Sequence, residues 1–76
     1  MNTADMLIHV HSDLDDDARI GLERRISGRI GVDCAEFPHR THFHALLVKY
    51  DPDTIRSMQV LEMVRRVDPQ ASHVSL

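Results

Sequence analysis

MLIHVHSDLDDDARIGLERRISG, residues 6–28, changes its apolar period partway along, and that change decides the fold. In MLIHVH (6–11), Ile8 and Val10 fall on one face while Leu7, His9 and His11 fall on the other, the alternation of a half-buried strand. From Asp15 to about Gly28 the spacing becomes four, and Ala18, Leu22 and Ile26 form one stripe along a helix. Ser12 or Asp13 stands where it can cap the first amides. Asp15, Asp16 and Asp17 then occupy the first turn, where the helix dipole favours negative charge. Gly28 and Gly31 end the helix.

Downstream the alternation returns. VDCAEF (32–37) reads as a second strand, PHRT (38–41) as a turn opening on Pro, and HFHALLVKY (42–50) as a strongly β-forming third strand. Asp51-Pro52-Asp53 breaks that run. Ser57 is a candidate cap for a second helix, with Val60, Val64 and Val67 at i, i+4, i+7 and Leu61 alongside. Asp68-Pro69 stops it, and ASHVSL (71–76) is a last short strand. The order β-α-β-β-α-β, joined by right-handed crossovers, predicts an α+β ferredoxin-like sandwich. Its sheet is four-stranded and antiparallel, with both helices on one face. The first and third strands are central, the fourth lies beside the first, and the second beside the third. No linker, repeat or low-complexity stretch interrupts residues 1–76, which are expected to form a single domain.

Composition narrows the function. A chain of 76 residues, 42% apolar, supports one small core whose stability gains from a dimer, ligand or metal. Its net charge of −3 argues against nucleic acid, where Lys and Arg on phosphates supply most of the affinity. No apolar run approaches the roughly 20 residues needed to span a bilayer, and MNTADMLIHVH lacks the features of a secretory signal. Cys34 is alone, which excludes an internal disulfide and fits a reducing, cytoplasmic setting. Enzyme signatures are lacking as well: there is no nucleophile elbow, phosphate loop or HExxH, so catalysis is not expected.

Gly31-Val32 and Tyr50-Asp51-Pro52, in this order and spacing, resemble the heavy-metal-associated domain of small copper chaperones and metal-pumping ATPases. The resemblance covers nearly the whole chain and implies the ferredoxin-like fold already read from the periods. In that family a GMxCxxC loop follows the first strand and holds a soft ion between two thiolates. Aligned without a gap from Val10 to Val32, the two cysteine positions fall on Asp15 and Ala18. A carboxylate is a hard donor and a methyl is none, so thiolate transfer of Cu(I) through this loop is not expected. What the resemblance still implies is a metal-handling protein as partner.

Histidine is the residue type in excess: His9, His11, His39, His42, His44 and His73. His9 and His11 share a strand face, about 7 Å apart for a rise near 3.3 Å per residue. They are the leading metal ligands, with His44 on the adjacent strand next. Imidazole suits Cu, Zn, Ni or Co, and binding is expected to weaken as pH falls through about 6.5, where ordinary imidazole takes up its proton. Phase opposes a simple site: the family resemblance implies that residues in phase with Val48 and Tyr50 face the helices, and His42 and His44 share that phase. Only a bulge or a strand end resets that. Leu7, Phe43, Ala45 and Leu47 form an apolar stripe on the open sheet face, which predicts a homodimer carrying His9 and His11 close to their symmetry mates. The aspartates read as helix chemistry, and Cys34 as a structural thiol. Two functions compete: metal binding through histidines in place of cysteines, and a metal-free interaction or regulatory module that kept the fold without the site. A histidine-based, pH-sensitive interface belongs to the second.

Overall fold

The period changes become six elements in the computed structural model, which describes residues 3–11, 13–38 and 44–74. They are β1 (Ala4–His9), α1 (Asp16–Ser27), β2 (Val32–Glu36), β3 (Ala45–Tyr50), α2 (Ser57–Arg65) and β4 (Ser72–Val74). The strands form one antiparallel sheet in the order β2-β3-β1-β4. This is the predicted ferredoxin-like arrangement, with β1 and β3 at its centre. Ser12, His39, His42 and Phe43 lie outside the described residues.

Alternation assigns the faces. Met6, Ile8 and Val10 from β1 and its extension, and Leu46, Val48 and Tyr50 from β3, are buried in one cluster with Leu22, Ile26, Val60, Leu61 and Val64 of the helices. Burying such side chains stabilises by about 1.5–3 kcal/mol each, and here it welds both helices to the same face. The opposite face stays open. Across it, Val74, Leu7, Leu47 and Glu36 lie in one row, flanked by Ser72, His9 and Ala45 on one side and by Asp5, Lys49 and Cys34 on the other. Leu7, Leu47 and Val74 are half-buried. Ala45 is only 1% exposed, so it adds nothing to an apolar stripe.

The helix starts differ from the sequence reading. Asp15, expected inside the first turn, is itself the cap: its backbone is extended and its carboxylate accepts the Ala18 N–H at 2.8 Å. Leu14, half-buried against the core, sets that start, and Arg19 reaches back to the Leu14 carbonyl and to Asp16. Ser57, the expected cap of α2, is its first residue. Arg56 holds the cap position, and its N–H donates to Gln59 Oε1 at 2.8 Å. Val67 falls past the end of α2 and is 37% exposed. Asp68 is buried in its place.

At one end of the sheet the two short motifs meet. Val32 pairs with Tyr50, and the Asp51 N–H donates to the Gly31 carbonyl at 2.7 Å. The Asp51 carboxylate accepts from the Asp53 N–H and the Thr54 hydroxyl, while its carbonyl accepts the N–H groups of Thr54 and Ile55. Gly31 has φ +95°, and a Cβ there would stand 2.9 Å from Thr54 Cγ2. Only glycine fits both the backbone and the space. Gly31-Val32 and Tyr50-Asp51-Pro52 thus form one hydrogen-bonded corner that turns the chain from β3 towards α2.

Candidate metal centre

The other end of the sheet carries the histidines. β1 runs out at His9, paired with Ala45 on β3 and Ser72 on β4. His9 is exposed on the open face, as its phase requires. His44 stands just before β3, where strict alternation no longer binds it. The Val10 N–H donates to the His44 carbonyl at 2.8 Å, so the backbones remain joined while the side chain is released from the helix-facing phase. The two imidazoles meet with ring centres 5.1 Å apart and planes at 82°. Two rings on one tetrahedral ion, each nitrogen about 2.0–2.1 Å from it, hold their centres roughly 5 Å apart. The separation is compatible with an ion, and it is equally the ordinary distance of two rings packed edge to face.

His11 does something else. It lies beyond β1, where its N–H donates to Asp68 Oδ2 at 2.7 Å and its ring Nδ1 accepts the Asp13 N–H at 3.1 Å. Of the three expected ligands, His9 and His44 have rings in contact, and His11 makes the separate contacts just given. His73 pairs with Ile8, which places it on the helix side at the sheet edge, away from His9. Cys34 pairs with Lys49 just after a bulge in β2, on the open face, at the far end of the sheet from His9. Among the described residues, no group of three His, Cys, Asp or Glu side chains is placed to hold an ion.

Asp68 is the residue that sequence reasoning missed. It was legible only as a helix stop. It is 6% exposed, with Oδ2 on His11 and Oδ1 accepting the Gln70 N–H at 3.1 Å. A carboxylate accepting amides from two segments ties the end of β1 to the α2–β4 link, and so fixes where His9 and His11 stand. The partners lie 57 positions apart, and no local pattern announces that.

No helix is long and apolar enough to cross a membrane among the described residues. No family model matches this chain, and no curated protein does.

Proposed function

We propose that the protein is a small cytosolic metal-binding domain, similar in fold to the heavy-metal-associated family, that takes a divalent transition ion through imidazoles instead of thiolates. The supporting observation is the His9–His44 pair, whose 5.1 Å ring separation suits joint ligation. Imidazole selects Zn, Cu, Ni or Co over the Cu(I) that a thiolate pair prefers. Two imidazoles leave a tetrahedral shell half filled. The open face offers the remainder, because His9 shares it with the half-buried row Leu7, Leu47 and Val74. A two-fold dimer through that row sets a second His9–His44 pair beside the first, giving four imidazoles per ion. A metal-handling protein is the further partner that the family resemblance implies.

Calorimetry with Zn²⁺, Ni²⁺, Co²⁺ and Cu²⁺, paired with sedimentation, tests this. The expected result is one ion per two chains, with affinity tighter than roughly 0.1 mM and lost by at least about tenfold in His9→Ala/His44→Ala, a change of about 1.4 kcal/mol. His11→Ala keeps the affinity. A double variant that binds as well as the wild type overturns the site. The absence of a three-ligand group among the described residues favours one other reading, a metal-free interaction module using the same face. A dimer that forms without any ion, and binds none, selects it.

A further inference from the structure

The arginines gather away from the histidines. Two adjoining clefts of about 470 and 450 Å³ run between the end of α1 and one face of α2, and both are lined by Gly28 and Arg29. The second is completed by Arg25, Met63 and Arg66. Gln59, Met63 and Arg66 recur at i, i+4 and i+7, so α2 presents one continuous wall. None of the three guanidinium groups has an ion-pair or hydrogen-bond partner among the described residues. Glu62, four residues before Arg66, makes no ion pair with it. In a chain of net charge −3, three unpaired arginines around one cleft that no carboxylate lines are a local reversal of sign.

Helix chemistry explains part of this. Arg25 lies in the last turn of α1, where positive charge complements the dipole. Arg29 follows the Gly28 cap of α1 and Arg66 is the C-cap of α2, so each dipole favours a charge at its own helix end, but neither brings arginines from two helices to one cleft. We propose that the cleft binds a ligand bearing a phosphate group. Guanidinium forks match phosphate oxygens in pairs, and a phosphate brings up to two charges to one point, where a carboxylate brings one. The adjoining cleft, where exposed Ile30 stands beside Thr54 and Gln59, offers a mixed surface for the remaining body of such a ligand. Ile30 is 83% exposed, a large apolar side chain with no core role. The phosphate comes either from a soluble phosphomonoester or from an anionic lipid headgroup.

Amide chemical-shift titration with pyrophosphate at low salt tests the soluble source, and flotation with phosphatidic acid vesicles, against phosphatidylcholine alone, tests the lipid one. The expected result is shifts at Arg25, Gly28, Arg29, Met63 and Arg66. Arg29→Glu/Arg66→Glu is expected to weaken binding at least tenfold. Arg24→Glu/Arg56→Glu, with the same change in charge but outside both clefts, is expected to lose less than threefold. Flotation without pyrophosphate binding assigns the lipid headgroup, provided the cleft variant abolishes it. Equal losses in the two variants, shifts mapping elsewhere on the wild type, or no binding of either probe overturns the proposal. These measurements need no metal, so they stand apart from the histidine site.

Discussion

The two ends of the β1–β3 ladder are built on opposite terms. Where Ala4 faces Tyr50, the Gly31–Asp51 corner joins its backbone and side-chain polar groups in a local network and admits no Cβ at Gly31. Where His9 faces Ala45 the regular pairing ends, one further bond joins the Val10 N–H to the His44 carbonyl, and the His9 and His44 rings meet. The corner is a closed polar network, whereas the histidine end leaves His9 exposed. The residues that carry the family resemblance therefore report architecture. Gly31-Val32 and Tyr50-Asp51-Pro52 make a turn whose hydrogen bonds involve none of the histidines.

Gly31→Ala should break that contrast most severely. A left-handed backbone costs an L-residue about 1–2 kcal/mol, and the new Cβ must also displace Thr54 Cγ2 from 2.9 Å. A total loss of roughly 2–3 kcal/mol is expected, read as a lower urea midpoint at unchanged slope. A midpoint equal to that of the wild type is the result that contradicts the corner's role.

Asp68→Ala comes next and acts at the histidine end. It strips the acceptor from the His11 and Gln70 amides, which costs about 1–3 kcal/mol where the donors are shielded from water. Asn keeps a side-chain oxygen, so Asp68→Asn should recover part of the loss. If Asp68→Ala and Asp68→Asn are equally stable, the hydrogen bonds are not what the carboxylate supplies. Asp15→Ala is expected to cost less, about 1 kcal/mol, because a single exposed cap bond is lost. Asp13→Ala, one of the two caps the sequence offers, should be near neutral, and urea melts of the two variants decide the order.

The contrast also marks what was legible. Elements and faces came through because apolar period is written residue by residue: Met6, Ile8, Val10 and Leu22, Ile26 point where their spacing says. The caps were misplaced because Asp13, Asp15, Asp16 and Asp17 are chemically alike, and the packing of Leu14 chooses among them. Phase put His9 on the open face correctly. It could not place His44, whose orientation depends on where β3 begins, and strand ends are decided by pairing rather than by composition. The arginine cleft was hidden for a different reason. Arg25, Arg29 and Arg66 are scattered in sequence and outweighed in the net charge.

The smallest expected effect is the most telling one. In the absence of metal, His9→Ala removes an exposed side chain from a strand end, and such changes usually stay within about 0.5 kcal/mol. A thermal melt should hardly move. Zinc changes the comparison, because an ion bound only by the folded state adds RT ln(1 + [L]/Kd), about 2.7 kcal/mol at one hundred times Kd. Wild-type protein should therefore gain several degrees with zinc while His9→Ala gains almost nothing, and Gly31→Ala, if still folded, should gain as much as the wild type. The two ends then separate by experiment: one alters stability with or without metal, the other only with it. An equal zinc response in wild type and His9→Ala shows that whatever the ion binds, it is not the pair of rings at the end of β1.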